Sequence, residues 1–556
     1  MDSNSPAGII ERLAEHVIVL EGWRRTMLAI AAGALSALAL APYHAFPVLL
    51  ITVPVLIWLM DGAVPASDRA GALAGLRKLT PAFNLGWQFG FGYFLAGFWW
   101  VGQAFLVEAE DFAFLLPFAV VALPAGLAIF WGLAMALAKL AWSDSWIRIM
   151  GFAASLTLLE WVRGTALTGL PWNVPGYAAM PTPPLMQTAS VVGLYGVTLL
   201  TLFVAAAPAV LGPISDRAGQ SRSRYWVLAC AVAISLAHMG FGAIRLAGAS
   251  STHVDGVKLR IVQPALDQKE KWDSSKEAQI MGRYFELSNA NKGPQVASIG
   301  AFTHVIWPES AFPFILSQRG DQLANIARLL PPNTHLITGA MRLEKAANSD
   351  EQPKVFNSLY VLNGNGETVV ARDKVRLLPF GEFLPFQNFL EELGFQQLTR
   401  LRGGFSAGSR RAVIDVPGTP AFLPLICYEI IFSGAIRAPQ DASAPQPRWI
   451  VNLTNDAWFG MTAGPYQHAH QAQLRAVEEG LPVIRAANNG ISFVSDAYGR
   501  IEERLALGQR GVVDAGLPVA LPHTIFGHTG NMPVLVLICL LLVSLLGLNR
   551  ISTQRM

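Results

Sequence analysis

The sequence predicts a membrane α-helical bundle of about eight spans joined to an α/β domain. The 556-residue chain is 52% hydrophobic and only 14% charged, whereas soluble chains carry about 25% charged residues. Long apolar segments fill the chain up to about residue 250 and recur after about 530. Between about 255 and 515, where most Asp, Glu and Lys residues fall, short β-rich runs alternate with helical patterns, which is typical of α/β domains.

Eight segments are apolar and long enough to be candidates for crossing a hydrocarbon layer of about 30 Å. They lie at about 25–42, 46–61, 82–104, 112–138, 147–163, 189–212, 225–246 and 531–549. Gly and Pro within them are no objection, because both are commoner in transmembrane than in soluble helices. We therefore expect seven spans in residues 1–250, a polar domain in 251–520 and an eighth span in 525–556.

The charges between these segments predict their orientation, because cytoplasmic loops carry an excess of Lys and Arg. Alternate loops and the two ends hold the basic residues Arg12, Arg24, Arg25, Arg69, Arg77, Lys78, Lys139, Arg148, Arg217, Arg222, Arg224, Arg550 and Arg555. The opposite loops, such as "PYHAF" and the acidic "VEAEDF", have none. Both termini are thus expected in the cytoplasm and the polar domain on the outer face. A cleaved signal peptide is the alternative for the first segment, but "APYH" leads directly into the second.

Within the polar domain, alternating and branched apolar runs predict strands. The expected strands fall in 256–266, 304–310, 334–343, 354–374 (two), 411–432 (two), 447–458 and 482–503 (a hairpin-like pair). Helices are expected at about 273–291 and 465–480, the second ending at a glycine. The net charge of +3 is too small to indicate a nucleic-acid partner.

Cys427 is the only cysteine of this domain, because Cys230 and Cys539 lie in predicted spans. A lone thiol on the oxidising side of a membrane has no internal disulfide partner, so it is either buried or used. Burial as a small hydrophobic residue would by itself explain it. The carboxylate of Glu429, two residues later, is unusual beside a buried thiol.

Three predicted strand ends carry reactive groups in apolar surroundings: Glu309 after "VIWP", Lys374 after "VVARD" and Cys427 after "LPLI". A carboxylate in such a setting can have a raised pKa and accept a thiol proton, and a lysine can stabilise an oxyanion. Together they form a complete set for acyl transfer through a thioester. Each has a simpler alternative: a helix cap for Glu309, an exposed lysine for Lys374, and an arginine pair for Glu429.

His468 and His470 raise the question of a metal. An H-x-H pair on a helix directs its two rings to different faces, and further ligands are not evident in the sequence. We expect neither a metal nor another cofactor.

Several motifs resemble a known family. "VIWPES", "DKVRLLPFGEFLP", "LICYEIIF", "NLTNDAWFG" and "RAANNGISFVSDAYG" look like segments of the nitrilase superfamily. "LALAPYHAFPVLL", "GFGYFLAGFWW", "LLEWVRGTALTGLPWNVPGY" and "VGLYGVTLL" look like segments of the apolipoprotein N-acyltransferases of bacterial inner membranes. The resemblance runs from about residue 25 to 548. It implies an αββα nitrilase-like sandwich, with Glu309 as general base, Lys374 as oxyanion stabiliser and Cys427 as the acylated nucleophile.

The same resemblance implies supporting roles for four further residues. Glu382 is expected to orient the lysine or the incoming amine, Tyr428 and Glu429 are expected to be required beside the nucleophile, and Trp458 to help wall the acyl pocket. The segment from about 381 to 400 matches less well. Its apolar residues suggest a lid that dips into the membrane interface, or alternatively packing on the domain core; they are Phe383, Leu384, Phe386, Phe389, Leu390, Leu393 and Phe395.

The implied reaction moves the sn-1 acyl chain of a phospholipid, phosphatidylethanolamine in related enzymes, to the α-amine of the diacylglyceryl-cysteine of an apolipoprotein. This would be the last step of bacterial lipoprotein maturation, and a monomer would suffice for it. A membrane-tethered amidase would use the same three residues. A transporter with an inert nitrilase-like domain would carry charges deep within several spans, whereas mainly Glu160 and Arg163 lie near one membrane edge.

Overall fold

The computed structural model divides the chain into two compact units. The first comprises residues 1–102, 115–248 and 528–556, and the second comprises 103–114 and 249–527. The residues that the structure describes are 6–63, 74–107, 109–143, 145–213, 220–271, 274–290, 298–345, 353–392, 397, 404–436 and 445–554. Arg69, Arg217, Arg555, Leu393 and Phe395 from the predictions above lie outside them.

The regular secondary structure of the first unit is entirely helical in its described residues. Its α-helices are Pro6–Ile18, Gly22–Ser36, Leu49–Asp61, Ala74–Phe98, Leu116–Leu140, Ile147–Thr165, Pro183–Met186, Ala189–Ala206, Gln220–Ala247 and Met532–Gln554. Each of the eight predicted spans coincides with one of these helices. By length and composition, three helical segments are long and apolar enough to cross a membrane: Ala113–Leu140, Ala189–Leu211 and Arg224–Ala247. Eight spans therefore remain a prediction.

Two glycines let helices Gly22–Ser36 and Ala74–Phe98 approach closely. A Cβ atom on Gly33 would lie 1.9 Å from the carbonyl oxygen of Phe89, and one on Gly92 would lie 2.0 Å from that of Ile30. Small residues at a helix crossing allow backbones to pack directly against each other, as is common in membrane helices. The Gly-rich segment "GFGYFLAGF" is thus explained by packing.

The two charged residues near the end of helix Ile147–Thr165 are buried and paired with each other. Arg163 Nη2 lies 2.6 Å from Glu160 Oε2, and Trp131 Nε1 donates to Glu160 Oε1 at 2.8 Å. Arg163 also donates to the carbonyl oxygens of Leu170 and Trp172. These bonds join the end of the helix to the turn that follows it and satisfy the two buried charges within the unit.

The second unit contains two β-sheets. Its strands are β1 (His253–Gln263), β2 (His304–Ile306), β3 (His335–Glu344), β4 (Lys354–Leu362), β5 (Thr368–Asp373), β6 (Phe422–Ile426), β7 (Trp449–Thr454), β8 (Val483–Ala487), β9 (Ser492–Ser495), β10 (Ile501–Leu505) and β11 (Gly511–Pro518). The first sheet has the order β11-β1-β2-β3-β4-β5, and the second has the order β10-β9-β8-β7-β6. β1, β2 and β3 are parallel to one another, as are β6, β7 and β8.

Alternating side chains of each strand separate the two faces of the sheets. Ile306 and Ile337 belong to a buried cluster that also contains Val451 and Leu453 of the second sheet, so this core lies between the sheets. Val305 and its neighbours point the other way, into a second core shared with the helix Glu277–Ser288. The regular pairing of apolar faces explains why the short strands are stable.

Helices cover the outer faces of both sheets. The α-helices of this unit and its boundary are Gly102–Leu106, Ala109–Phe112, Gln268–Lys271, Glu277–Ser288, Gly320–Leu329, Gln387–Glu392, Ala463–Glu479 and Ile525–Thr529. Helix Ala463–Glu479 contacts β8 and the segment Cys427–Ile431. It begins with the Thr462 side chain accepting from Gly464 N and ends at Gly480, whose φ is 68°, as expected for a helix stop. The predicted α/β domain is confirmed.

Two details of the sheets differ from the prediction. Residues 411–416 do not form a strand and contribute only an isolated bridge between Ile414 and Phe422. Prolines at 417 and 420 follow this segment and lack the amide hydrogen that a ladder requires. Conversely, β10 and β11 extend the sheets beyond the predicted hairpin, and β11 pairs antiparallel with β1.

Candidate active site

The predicted site residues follow the ends of strands in the second unit. Glu309 comes after β2, Lys374 directly after β5 and Cys427 directly after β6. Ligand and catalytic groups of α/β folds commonly lie at the carboxyl ends of parallel strands, where loops from neighbouring strands meet. β2 and β6 belong to different sheets, so the base and the nucleophile reach one site from opposite halves of the sandwich.

Lys374 lies between two buried carboxylates. Its Nζ is 2.9 Å from Glu382 Oε2 and 3.6 Å from Glu309 Oε1. Lys374 is only 2% exposed, and both glutamates are 6% exposed. The alternative of an exposed lysine is therefore wrong, and so is that of a helix cap for Glu309, because no helix begins in the described residues 311–315.

Asn357, in the middle of β4, joins the same two carboxylates. Its Nδ2 donates to Glu309 Oε1 at 2.8 Å and to Glu382 Oε1 at 2.9 Å. Glu382 Oε2 also accepts from the backbone N–H of Leu378 at 2.8 Å. Asn357 is not among the residues predicted from the sequence, where its only signal is an amide inside the apolar run "VFNSLYVL". These bonds hold the carboxylates in fixed positions around the lysine.

Burial and neighbouring charges shift the pKa values of this cluster in opposite senses. Burial raises the pKa of Glu309, and the nearby Glu382 adds to this, although Lys374 and Asn357 act against it. Burial would lower the pKa of Lys374, but the charges of Glu382 and Glu309 outweigh it and the net shift is upward. Lys374 therefore stays cationic, while Glu309 is a stronger base than an exposed glutamate.

Cys427 occupies a sharp turn at the end of β6. Its φ is 50°, in the left-handed region that non-glycine residues rarely adopt. A one-residue reversal of this kind projects the side chain out of the end of a strand. Strained backbone of this sort is found at functional sites, where the surrounding structure holds it.

The thiol of Cys427 interacts with the predicted base and cation. Burial and the negative charge of Glu309 raise its pKa to about 12, whereas Lys374 and the neighbouring Thr454 side chain favour the thiolate. The resting residue is therefore a thiol that needs a base, and Glu309 is the carboxylate with the strongest influence on it. Thr454, at the end of β7, was not predicted.

Glu429 ties the nucleophile turn to the lysine loop. Its Oε1 accepts from the backbone N–H groups of Val375 and Arg376, both at 3.1 Å, and Oε2 accepts from that of Ile426 at 2.9 Å. Arg411 Nη2 lies 2.8 Å from Oε1. The arginine pair considered from the sequence exists, and it forms part of a larger set of bonds that holds the Lys374 and Cys427 segments together.

The other predicted residues lie close by in the chain but differ in environment. Tyr428 is buried, and its ring packs edge-on against that of Phe432 with centroids 4.9 Å apart. Trp458 is half-buried in the short turn Asp456–Phe459. Among the apolar residues of the predicted lid, Phe386 is 85% exposed and Phe389 is 61% exposed, whereas Leu384 is buried.

A second lysine, which the sequence analysis missed, lies at the site. Lys271 is fully buried, and its Nζ donates to the main-chain oxygen of Glu309 at 2.9 Å. Burial lowers its pKa to about 8, although Glu309 and Cys427 favour its charged form. Among the described residues, no three His, Cys, Asp or Glu side chains form a group that could hold a metal ion.

Comparison with known proteins follows the division of the chain. Residues 32–207 match the model of the apolipoprotein N-acyltransferase N-terminal domain, and residues 258–521 match that of the carbon-nitrogen hydrolases. The chain is 45% identical to the apolipoprotein N-acyltransferase of Rhodopseudomonas palustris, over 97% of this chain and 98% of that one. It is 48% identical to that of Bradyrhizobium diazoefficiens, over 96% of each chain.

The chain belongs to the apolipoprotein N-acyltransferase family. The relative from Brucella melitensis, 43% identical over 98% of this chain and all of its own length, bears the same name. A crystal structure of an amidase from Nesterenkonia sp. matches 49% of this chain and 94% of its own, with 15% identity and a TM-score of 0.31. All seven residues predicted for the site fall within the part that matches the carbon-nitrogen hydrolases.

Proposed function

We propose that this chain is an apolipoprotein N-acyltransferase that uses a Glu309–Lys374–Cys427 triad. It transfers the sn-1 acyl chain of a phospholipid to the N-terminal α-amine of the diacylglyceryl-cysteine of an apolipoprotein. The observation that carries this proposal is the convergence of one nucleophile, one base and one cation at a single buried site. The family relationship supplies the two substrates.

In the first half-reaction, Glu309 accepts the thiol proton and the Cys427 sulfur attacks the ester carbonyl. A carboxylate with a raised pKa is better matched to a thiol of pKa about 12 than an ordinary one would be. The C–O bond of the ester breaks, Glu309 returns the proton to the leaving oxygen, and a lysophospholipid departs. The acyl chain remains on Cys427 as a thioester.

In the second half-reaction, the acceptor amine attacks the thioester. Glu309 removes a proton from the attacking nitrogen, the C–S bond breaks, and the sulfur regains a proton. The products are an amide and free Cys427. Because the acyl group rests on the enzyme between two substrates, the kinetics are ping-pong.

Lys374 stabilises the negative oxygen of both tetrahedral intermediates. Its ammonium is held 2.9 Å from Glu382 and is kept charged by that carboxylate and by Glu309. A fixed charge in a water-poor site stabilises a developing oxyanion more strongly than the same charge in water. Glu382 thus acts through the lysine, and Asn357 holds both carboxylates in place.

The membrane context follows from the substrates. Both carry acyl chains that contribute about 0.8 kcal/mol per buried CH₂ to membrane binding, so an enzyme in the same bilayer meets them without extracting them. We place the chain in the bacterial inner membrane with about eight spans, both termini in the cytoplasm and residues 251–520 on the periplasmic side. The exposed Phe386 and Phe389 suit a lid at the interface. One catalytic set per chain makes a monomer sufficient.

The decisive experiment incubates the full-length protein with phosphatidylethanolamine labelled in its sn-1 chain. Wild type should acquire label on Cys427, detected as a thioester by mass spectrometry, and Cys427→Ala should acquire none. A membrane-tethered amidase acting on small amides would leave wild type unlabelled, which would exclude the acyltransferase. Addition of a diacylated lipopeptide should then move the label to the peptide amine.

A further inference from the structure

A second buried polar cluster lies behind the nucleophile, made of residues that the proposed reaction does not use. Asp456 follows β7, Arg485 is in β8, and His468 is in helix Ala463–Glu479; all three are fully buried. Asp456 Oδ2 is 2.8 Å from Arg485 Nη2, and Asp456 Oδ1 is 2.8 Å from His468 Nδ1. Arg485 Nη2 is also 3.0 Å from His468 Nδ1.

The other nitrogen of His468 faces the main chain of the nucleophile. Nε2 lies 3.3 Å from the carbonyl oxygen of Cys427. A carbonyl oxygen can only accept, so this contact is a hydrogen bond in the form of the ring that carries its proton on Nε2, and Nδ1 of that neutral form accepts from Arg485 Nη2. Asn452 Nδ2 approaches the same oxygen at 3.4 Å and the carbonyl oxygen of Leu425 at 3.2 Å. In that form of the ring, two side-chain donors converge on the one carbonyl of the strained turn.

Hydrogen bonds to the Cys427 carbonyl oxygen orient the whole peptide group that follows Cys427. The peptide group after Cys427 is planar, so fixing its carbonyl also fixes the direction of the Tyr428 N–H, which points the opposite way. It also restrains the backbone of Cys427 at φ 50°, a conformation that must be held by its surroundings. The position of the sulfur relative to Glu309 and Lys374 depends on this backbone.

We propose that His468 is a positioning residue for the nucleophile, held in place by Asp456 and Arg485 and acting through the Cys427 carbonyl. The inference rests on the proposed function, because it assigns this buried cluster to the same acyl transfer. Asp456 and Arg485 fix the ring from one side, and the ring fixes the nucleophile turn from the other. His468 itself does not touch the substrate.

A matched pair of substitutions separates positioning from packing. The amide of asparagine reaches the place of Nδ1, so His468→Asn can keep the contacts to Asp456 and Arg485 but loses the donor to Cys427. The longer glutamine reaches the place of Nε2, so His468→Gln can restore that donor. His253→Asn, at an exposed histidine paired with Glu502, is the control.

The measurement is the rate of acyl-Cys427 formation from labelled phosphatidylethanolamine by the full-length protein. His468→Asn should lower the limiting rate roughly 10²-fold, as expected for a misplaced nucleophile, with little change in the lipid concentration at half-saturation. His468→Gln should stay within about fivefold of wild type, and His253→Asn should not differ from it. Equal rates for the Asn and Gln variants, at equal thermal stability, would overturn the proposal.

A second variant decides the matter where His468→Asn does not fold. Asn452→Asp keeps the size of the side chain and its contact with Arg485, but it faces the Cys427 carbonyl with an oxygen. We expect it to slow acyl-enzyme formation as well, and an unchanged rate would again overturn the proposal. Alkylation of Cys427 by iodoacetamide is a second measurement that needs no lipid, and we expect it to rank the variants in the same order of rate. If wild type forms no acyl-enzyme, the proposed function fails, while the alkylation rates still test the role of His468.

Discussion

The two sheets of the α/β domain contribute different chemistry to one site. The first sheet and the loops that follow its strands supply the carboxylates of Glu309 and Glu382, the ammonium groups of Lys374 and Lys271, and the amide of Asn357. The second sheet supplies the thiol and the groups that hold it, namely Cys427, Asn452, Thr454, Asp456 and Arg485. Neither sheet carries all three residues of the proposed triad, so the proposed site depends on how the sandwich joins them.

The difference also concerns how the charges are balanced. The first-sheet cluster gathers two carboxylates around one lysine, which raises the pKa of Glu309 and keeps Lys374 charged. In the second-sheet cluster, Arg485 and His468 outweigh the effect of burial and lower the pKa of Asp456 to about 2. The raised pKa of Glu309 in the first cluster suits the base that we propose, whereas Asp456 in the second cluster stays ionised beside Arg485 at neutral pH.

The largest effect should come from the base of the first sheet. Glu309→Gln keeps an oxygen for Asn357 but cannot accept the thiol proton, so we expect acyl-enzyme formation to fall by roughly 10³-fold or more. The rate of acyl-enzyme formation is measured by mixing the protein with labelled phospholipid and quenching the reaction at short times. Glu503→Gln, at an exposed glutamate of β10, is the control. A loss of less than about tenfold would mean that another group takes the proton.

A smaller effect should come from the residue that joins the two sheets. Glu429 accepts from backbone groups on both the Lys374 loop and β6, so Glu429→Gln presents an N–H₂ to at least one of these donors. We expect a shift of the lysine relative to the sulfur and a loss of about 10² in rate, as for displacement by about 1 Å. If Glu429→Gln left the rate of acyl transfer unchanged and raised the reactivity of Cys427 toward iodoacetamide, the predicted displacement of the lysine would be wrong.

Much of the fold can be predicted from the sequence because it depends on local patterns. The eight apolar segments are helices, and Glu309, Lys374 and Cys427 follow strand ends that alternating apolar residues had indicated. The strand predicted at 411–416 is wrong because the apolar spacing there resembles a strand, whereas the two prolines that follow cannot donate to a strand ladder. Strand β11 has little apolar pattern of its own and depends on its partner β1.

The site could be predicted only where residues carry reactive groups in unusual surroundings. Asn357 and Lys271 reach Glu309 from positions 48 and 38 residues away, and nothing in their local sequence specifies that approach. The four donors around Glu429 likewise come from separate segments. Such contacts arise from tertiary packing, so sequence patterns indicated the triad but not the groups that orient it.

Within the first sheet, Glu382 should matter less than Glu309 because it acts through Lys374. Glu382→Gln weakens the 2.9 Å contact with the ammonium and leaves Glu309, at 3.6 Å, as the main anion near it. We expect acyl transfer to fall by about 30-fold, within the range for groups that orient a catalytic residue. The limiting rate should drop with little change in half-saturation by phospholipid. A loss equal to that of Glu309→Gln would assign Glu382 a direct proton-transfer role.

The smallest effect should come from Lys271, and it should depend on pH. Its pKa of about 8 means that the ammonium is present below pH 8, where it favours the Glu309 carboxylate and the Cys427 thiolate, and is lost as the pH rises through 8. Lys271→Met should therefore slow alkylation of Cys427 by iodoacetamide, by up to about tenfold below pH 8, with the difference shrinking at higher pH. Lys271→Arg stays charged at every pH tested. Its alkylation rate should therefore remain above that of Lys271→Met even above pH 8.

Stability separates this electrostatic role from a structural one. The pKa of Lys271 is lower in the folded protein than its ordinary value of 10.5, so its charge opposes folding below pH 8, and this cost disappears as the pH rises toward 10.5. Lys271→Met should consequently leave the thermal midpoint of unfolding at pH 7 unchanged or higher, while it slows alkylation of Cys427 by iodoacetamide. A lower midpoint with a pH-independent loss of reactivity would show instead that the Lys271 bond to the Glu309 main chain is its chief contribution.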